Sequence, residues 1–441
     1  MKTKEKVTVF WFRKDLRLFD NHALLEALNS GNPVLPIYIF DKKIDHSIYN
    51  KKERSISFIY QQLKELEHEL QQFGASLWII QDTPLEGFKT ICSPFEVCSV
   101  FVNELYEPFE IQRDKEISNY LQASQISWNA FKDRVIFHKH DVMKNGGTPY
   151  SVFTPYSKIW KQKLAENGVP VYESEKYLSN LLKINPFPFP TLEALGFEAT
   201  SYPLVPKNID PQIIRNYHNT RDIPSLDGTS KLSVSLRFGT VSVRQLVSRA
   251  LELNEVWLNE LIWREFFMMI LFHYPQIVKE SFKKKYQHIA WRNNEKEFEL
   301  WCKGETGYPI VDAGMRELNE TGLMHNRVRM IVASFLTKHL LIDWQWGEAY
   351  FAEKLLDYEL SSNNGNWQWV AGCGCDAAPY FRIFNPEEQT RKFDPQYLYI
   401  QKWVKDYKPD YLNPIVEHTF ARKRALLTYK KALEDPLNPY L

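Results

Sequence analysis

The run Val7–Arg13, VTVFWFR, is the first of five short apolar segments, and together these segments decide the predicted fold. All five are rich in β-branched and aromatic residues, which favour strands. The other four are Val34–Phe40, Leu77–Gln81, Val97–Asn103 and Ser127–Lys132. Helical patterns separate them, as where Ile56, Ile59, Leu63, Leu66 and Leu70 recur. Apolar strands that alternate with helices predict a parallel, doubly wound sheet over roughly the first 130 residues.

The turn after the first predicted strand is the place where such a sheet would bind a ligand. No Gly-x-Gly-x-x-Gly follows Val7–Arg13, so a standard dinucleotide site is not expected there. The segment Phe12–Asp20 carries Arg13, Lys14 and Arg17 instead. A charged turn with only a structural role explains it as well as a binding role does.

The rest of the chain has a different pattern. Closely spaced prolines at Asn185–Pro190 and Tyr202–Pro206 interrupt both helices and strands, and Asn145–Trp160 is typical of a loop that enters a helix. After about residue 207 helical patterns dominate. They cover Ile213–Asn219, Val243–Leu253, Trp257–Leu271, Pro309–Asn319, His325–Asp343 and Trp346–Leu356. We therefore predict an α/β domain over 1–132, a linker over 133–206 and an all-α domain over 207–441.

Composition narrows the class of protein. The 441 residues include 55 Lys+Arg and 54 Asp+Glu, so overall charge indicates nothing about a polyanionic partner. Five cysteines without framework spacing favour a reducing compartment, and we expect a cytoplasmic location. Cys373 and Cys375 lack further ligands nearby, so no metal site is predicted. No signal peptide and no run of 18 apolar residues is present, so we expect no membrane partner.

The stretch Asp357–Trp369, DYELSSNNGNWQW, is the densest in functional side chains. Its amides, carboxylates and hydroxyls suit a heterocycle, and its indoles suit stacking on one. The structural alternative is a helix end capped by the pair Asn364-Gly365.

Two other helical patterns carry candidate site residues. Trp257, Glu260 and Trp263 lie at i, i+3 and i+6, which keeps them on adjoining parts of one surface. Asn326 and Met330 share a face of another helix. Arg327 and Arg329, beside its core face, need a partner such as Asp357 or a bound anion. Asp227–Ser233, DGTSKLS, offers hydroxyl donors to a phosphate, although Gly-Thr-Ser is a common turn.

Long motifs in the chain resemble the photolyase/cryptochrome flavoprotein family, most closely its class I cyclobutane pyrimidine dimer photolyases. They are LNELIWREFF, TGYPIVDAGMRELNETGLMHNRVRM, the NNGNWQW run, DAAPYFRIFNP, FWFRKDLRLFDNHAL and YSVFTPYSKIW. The resemblance covers nearly the whole chain. It implies an antenna-type α/β domain joined to a helical domain that holds FAD, and a carbon–carbon lyase that repairs dimers in ultraviolet-damaged DNA. Repair would use light-driven electron transfer from FADH⁻ to the flipped-out dimer.

The same resemblance implies which residues hold FAD. Thr229, Ser230, Leu232 and Ser233 would cradle the phosphates, with Tyr217 and Trp257 nearby. Arg329 and Asp357 would pair beside the isoalloxazine, and Asn363 would face flavin N5. Glu359 replaces an aspartate that is usual in the family, which puts its hydrogen bond to the flavin in question.

Further roles also follow only from the resemblance. The dimer pocket would consist of Glu260, Asn326, Met330, Trp263 and Trp369. An electron relay would run through Trp291, Trp344 and Trp367. DNA phosphates would be bound by Arg221, Arg327 and Arg382. We expect a monomer.

Two alternatives stay open. Folate-binding relatives carry Asn-Glu where this chain has Phe109-Glu110, so the antenna would be methenyltetrahydrofolate, a deazaflavin or nothing. The chain would otherwise be a blue-light receptor of the cryptochrome type, without repair activity. Such receptors usually carry Asp where this chain has Asn363, which favours repair.

Overall fold

A computed structural model describes residues 4–42, 53–405, 407–408, 411 and 413–434. The chain divides into two compact units. The first consists of Met1–Val142, Ile159–Asn208 and Lys231–Glu252, and the second of Met143–Lys158, Ile209–Ser230 and Leu253–Leu441. The predicted linker thus contributes to both units.

The first unit is built on a sheet of five parallel strands in the order β3-β2-β1-β4-β5. The strands are β1 (Glu5–Phe12), β2 (Val34–Asp41), β3 (Trp78–Asp82), β4 (Phe95–Asn103) and β5 (Ser127–Phe131). Each coincides with one of the five predicted runs. The helices between them are α1 (His22–Leu28), α2 (Arg54–Gln71), α3 (Pro84–Ile91) and α4 (Pro108–Ala123). The doubly wound parallel sheet is confirmed.

Charged residues after β1 are tied into the first unit by ion pairs. Arg17 pairs with Asp133 at 2.7 Å, and Arg244 pairs with Asp133 at 2.7 Å and with Asp20 at 2.9 Å. Burial alone would raise the pKa of Asp133, but the two guanidinium groups hold it well below its usual range. Arg17 therefore has a structural role.

The helical part begins with α5 (Phe153–Asn167), which starts in the second unit. The remaining helices follow in chain order. They are α6 (Pro211–Arg215), α7 (Tyr217–Thr220), α8 (Ser233–Phe238), α9 (Val243–Leu253), α10 (Glu255–His273), α11 (Glu295–Lys303), α12 (Pro309–Thr321), α13 (Asn326–Ser334), α14 (Trp344–Lys354), α15 (Leu360–Ala371), α16 (Pro386–Phe393), α17 (Leu398–Trp403) and α18 (His418–Glu434). One large apolar core collects buried side chains from α11 to α15, α17 and α18. No helix in the described part of the chain is long and apolar enough to cross a membrane.

The prediction of one helix over His325–Asp343 is wrong at its C-terminal end. Helix α13 stops at Ser334 and continues as a π-helical turn over Phe335–His339. Leu341 then has a φ of 51°, which no α-helix accommodates. The sequence stays apolar throughout this stretch, so periodicity alone does not reveal the break.

Candidate active site

Helix α10 carries the first group of predicted site residues. Its N-cap, Asn254, accepts hydrogen bonds from the backbone N–H groups of Val256 and Trp257 at 2.8 and 3.3 Å, which fixes the start of the helix. Trp257 is buried, whereas Glu260 and Trp263 are each half-buried. The predicted spacing therefore presents an acid and an indole at the edge of the core.

Glu260 is held by an arginine. Its Oε1 lies 2.5 Å from Nη1 of Arg221, and the two side chains are 32% and 27% exposed. Burial raises the pKa of Glu260, and the Arg221 guanidinium opposes that rise. Glu260, which is predicted to hydrogen-bond a base of the dimer, is thus paired with Arg221, which is predicted to bind a DNA phosphate.

A second ion pair brings α13 to the same region. Nη2 of Arg327 lies 2.7 Å from Oδ1 of Asp222, the residue that follows Arg221. Helix α13 begins at Asn326, which is exposed, and Met330 lies half-buried one turn later. Consecutive residues 221 and 222 therefore join α10 to the start of α13.

The ring of Trp263 is fixed by a stacking partner that the sequence did not indicate. Phe153 lies parallel to it, with ring centroids 3.7 Å apart and an interplanar angle of 4°. The backbone N–H of Phe153 in turn donates to Oδ2 of Asp376 at 3.2 Å. Both residues belong to quoted motifs, YSVFTPYSKIW and DAAPYFRIFNP, but only the structure brings them together. Phe266 and Phe267 contact the same ring, with centroid distances of 5.6 and 5.4 Å, so three aromatic rings hold Trp263 in place.

Within the Asp357–Trp369 stretch, helix α15 begins at Leu360, and the structural alternative of a helix end capped at Asn364-Gly365 is wrong. The helix runs on to Ala371 and ends at Gly372, whose φ is 93°. Gly365 lies mid-helix because α15 packs closely on α10: a Cβ there would approach Cδ1 of Phe267 to 2.2 Å. The glycine thus serves helix packing.

Glu359 has a local role at the start of α15. It is the N-cap, and its Oε2 accepts hydrogen bonds from the hydroxyls of Ser361 and Ser362 at 2.6 and 2.8 Å. It also accepts from the backbone N–H of Ser362 at 3.1 Å. A glutamate is long enough to cap the helix in place of the expected aspartate.

Trp369 lies half-buried on α15, and the guanidinium carbon of Arg382 is 6.0 Å from its ring. Helix α15 packs against both α10 and α13, so the three helices that carry the predicted dimer pocket are in contact. Within the described residues, no hydrogen bond or ring contact joins the five pocket side chains to each other.

The predicted pair of Arg329 and Asp357 is confirmed. Nη2 of Arg329 lies 2.8 Å from Oδ2 of Asp357, whose side chain is 5% exposed. Arg329 also donates to the backbone carbonyl of Met324 at 2.8 Å. Oδ1 of Asp357 is buried and accepts no hydrogen bond from the described residues. A buried carboxylate oxygen of this kind requires a donor.

Asn363 is buried and bound to α14. Its Nδ2 donates to the backbone carbonyl of Glu348 at 3.1 Å and to Oε1 of the same residue at 2.9 Å. Sequence reasoning singled out Asn363 but missed Glu348, which lies in no quoted motif.

The predicted phosphate turn lies before α8. In its second-unit part, Gly228 packs against Thr220, whose hydroxyl donates to the Gly228 carbonyl at 3.0 Å. Thr229 and Ser230 are partly exposed, and Lys231 has a φ of 53°. Leu232 is the N-cap of α8, where Ser233 is the first helical residue. The ring of Tyr217 lies 5.4 Å from the guanidinium carbon of Arg221.

The three relay tryptophans belong to one apolar core. Trp344 and Trp367 are 3% and 2% exposed, and Trp291 packs against the same core while half-exposed. No ring contact joins them directly in the described part of the chain. Trp367 instead contacts Trp301, with centroids 6.2 Å apart. Trp301, which the sequence did not single out, leads through Phe298 to the half-buried Trp346.

Phe109-Glu110, the pair that differs from the Asn-Glu of folate-binding relatives, lies in the first unit, where β1 and β4 are neighbours and the winding of the sheet reverses. Nζ of Lys14 lies 2.5 Å from Glu107 and 2.8 Å from Glu110. Burial, and then the Glu107 carboxylate, raise the pKa of Glu110 to about 7. Phe109 is 55% exposed. The positive charge of Lys14 is therefore paired with two carboxylates of the protein, Glu107 and Glu110.

Family models match both parts of the chain. The FAD binding domain of DNA photolyase matches residues 257–409, and the DNA photolyase model matches residues 8–174. A deoxyribodipyrimidine photo-lyase from Vibrio cholerae is 39% identical over 424 residues, which cover 90% of this chain and 90% of that protein.

Solved structures agree with these matches. A class III photolyase from Agrobacterium tumefaciens superimposes with a TM-score of 0.84 at 31% identity over 98% of both chains. An archaeal photolyase from Sulfolobus tokodaii with two FAD molecules has a TM-score of 0.78 at 33% identity, covering 96% of this chain and all of that one. A cryptochrome from Synechocystis has a TM-score of 0.83 at 26% identity, covering 97% and 100%. The chain belongs to the photolyase/cryptochrome family.

Proposed function

We propose that this protein is a deoxyribodipyrimidine photo-lyase, a flavoenzyme that splits cyclobutane pyrimidine dimers in ultraviolet-damaged DNA under blue light. The observation that carries this proposal is the packing of α10 and α13 against α15. It gathers an acid, an amide, a thioether and two indoles from α10, α13 and α15. The relatives named photo-lyase favour repair over signalling.

The side chains present suit FAD. The unpartnered Oδ1 of Asp357 requires a donor, and FAD offers hydroxyl and imide N–H donors. Arg329, fixed by Asp357, favours an anionic reduced flavin. We assign Tyr217, Thr229, Ser230, Leu232, Ser233, Trp257, Glu359 and Asn363 to the same cofactor. When bound and excited, FADH⁻ supplies the electron that splits the dimer.

The dimer would be extruded into the pocket. Extrusion costs a few kcal/mol, less for a lesion that already pairs poorly. Trp263, locked by Phe153, and Trp369 supply stacking surfaces. Glu260 and Asn326 bind base edges and stabilise negative charge, while Met330 contacts the bases.

Three arginines carry the DNA contacts in this proposal. Arg221 and Arg327 pair with the acids Glu260 and Asp222, and Arg382 lies beside Trp369. Binding phosphates with these groups makes affinity salt-dependent. Membership of class I, a monomeric state, a cytoplasmic location and a second chromophore stay predictions.

A light-and-dark comparison tests the function. Purified, reduced protein is incubated with dimer-containing oligothymidine under blue light and in darkness. We expect dimers to disappear only in the light. Equal dimer content in both samples would reject repair and favour a receptor of the cryptochrome type.

A further inference from the structure

A second line of aromatic rings leads away from Trp367. Within the described residues, Trp301 is the one tryptophan in ring contact with Trp367, at a centroid distance of 6.2 Å. Phe298 lies nearly parallel to Trp301, with centroids 5.7 Å apart and an interplanar angle of 19°. Phe298 and Trp346 then meet edge to face, with centroids 5.2 Å apart. The line therefore reaches Trp346 by direct ring contacts, whereas no described ring contact joins Trp367 to the other two relay tryptophans.

The two ends of this line differ in their access to water. Trp367 and Trp301 are 2% and 0% exposed, whereas Trp346 is half-buried and packs against the same core. Nε1–H of Trp301 donates to the backbone carbonyl of Val332 at 3.1 Å, and a neutral carbonyl does not take up its proton. A positive charge on a buried indole is costly, and water lowers that cost at the surface. Once Trp367 has lost an electron, the resulting positive charge is therefore most stable on Trp346.

Tyr350 is another ring beside Trp301, with centroids 5.7 Å apart. It is a poor source of electrons, because an oxidised tyrosine must lose its hydroxyl proton to a base. The hydroxyl donates to Oδ1 of Asn319 at 2.6 Å, and the backbone carbonyl of Cys302 lies 3.2 Å away. Neither oxygen is basic, and burial raises the pKa of Tyr350. Electrons therefore enter this line at Trp346.

We propose that Trp346 is a second surface entry for electrons to the flavin, in parallel with the relay that begins at Trp291. The inference rests on the proposed function, in which Asn363, one helical turn before Trp367 on α15, contacts FAD. Trp367 is common to both routes. Each passage moves one electron from Trp346 through Trp301 and Trp367 to light-excited oxidised FAD.

The electrons come from a soluble thiol that meets Trp346 at the surface. Two passages and one proton convert FAD to FADH⁻. Two thiols lose two electrons and two protons in the same process and form one disulfide. The second entry thus restores the reduced cofactor that repair requires.

Photoreduction of oxidised flavin tests this entry without reference to repair. Protein with oxidised FAD is illuminated with blue light in the presence of dithiothreitol, and the loss of flavin absorbance is timed. Trp291→Phe closes the first route and should leave a slower photoreduction. We expect the double variant Trp291→Phe/Trp346→Phe to lose most of that remaining rate. Phenylalanine keeps an apolar ring at the half-buried position 346, so the core stays covered.

Trp403 provides the matched control. It is also a half-buried tryptophan that packs against this core. No ring contact within the described residues joins it to Trp301 or Trp346. Trp291→Phe/Trp403→Phe should therefore photoreduce at the rate of Trp291→Phe alone. The assignment is overturned if Trp291→Phe has no remaining photoreduction, if Trp346→Phe leaves the remaining rate unchanged, or if Trp403→Phe lowers it equally.

Electron paramagnetic resonance detects the oxidised tryptophan directly. Under illumination without thiol, Trp291→Phe should show a long-lived tryptophan radical, because water takes up the proton of an oxidised Trp346. Dithiothreitol should shorten its lifetime, and the signal should vanish in the double variant. A signal that persists in the double variant would place the radical elsewhere and contradict the inference.

The two proposals fail separately. Prereduced protein needs no photoreduction, so Trp346→Phe should split dimers as the wild type does. If Trp346 carries electrons but reduced wild type does not split dimers, only the repair function is rejected. If dimers are split in the light and the double variant photoreduces like Trp291→Phe, only the entry at Trp346 is rejected.

Discussion

At the scale of single residues, three acidic side chains of the site each form an ion pair with an arginine. Glu260 is held by Arg221, Asp222 by Arg327 and Asp357 by Arg329. Spacing in the sequence predicted the surface that Glu260 shares with Trp263, because a helix fixes neighbours three and four residues apart. It did not predict the pair with Arg221, which depends on how a distant segment packs.

Replacement of Arg221 tests the DNA contact. Arg221→Ala should weaken binding to any DNA and lower the slope of log affinity against log salt by about 1. The change also removes the cation beside Glu260, so the pKa of that acid should rise further. Binding is measured by fluorescence anisotropy across a salt series. Arg391→Ala, an exposed arginine paired with exposed Glu388, is the control; an equal loss of slope there would refute a specific role for Arg221.

Replacement of Trp291 tests the relay. Trp291→Phe should strongly slow the photoreduction of oxidised flavin and spare repair by prereduced enzyme, because only the first process draws electrons from the surface. Trp346→Phe is the informative comparison, since Trp346 ends the second aromatic route from Trp367 through Trp301. Slower photoreduction in Trp346→Phe alone would show that the electron takes that route instead.

At the scale of elements, the sequence predicted whether a segment is a helix or a strand better than it predicted where a helix ends or what it packs against. All five strands and the helices α2, α9, α10, α12 and α14 follow from periodicity and composition, whereas α11, α16, α17 and α18 were not predicted. The π-helical turn Phe335–His339 does not, nor does the close approach of α15 to α10 at Gly365. Both depend on what packs against the element, which periodicity does not contain.

The π-helical turn contains a buried lysine, Lys338, whose titration makes the free energy of unfolding depend on pH. Lys338 is 1% exposed, donates to the Ala371 carbonyl at 2.8 Å and lies 3.7 Å from the ring centroid of Tyr429. Burial lowers the pKa of Lys338 to about 7. Between pH 7 and the ordinary lysine pKa of 10.5 the unfolded chain binds more protons than the folded one, so this residue's contribution to stability rises with pH.

Lys338→Met should therefore raise the free energy of unfolding by roughly a few kcal/mol at pH 6, and by less at pH 9. The Ala371 carbonyl keeps a donor, because the Tyr429 hydroxyl also binds it at 3.0 Å. Urea denaturation at both pH values measures the difference, with exposed Lys296→Met as the control. A destabilised variant at pH 6 would contradict the expectation.

At the scale of the whole molecule, the sequence was sufficient to predict the architecture and the family. The structure was needed to show which side chains contact each other. The two compact units are discontinuous in the chain, and a linear division into domains cannot express that. Only their contacts in the structure reveal the roles of Phe153, Glu348 and Trp301. Nothing in the local sequence distinguishes these residues.

In the proposed repair, light drives a cyclic electron transfer from reduced flavin to a bound dimer. Reduced protein without added reductant is given dimer-containing oligothymidine in excess over flavin and a train of blue flashes. Restored thymine and flavin oxidation state are recorded together. We expect many bonds to be split per flavin while the flavin stays reduced. One flavin oxidised per bond split, or no restored thymine, would contradict it.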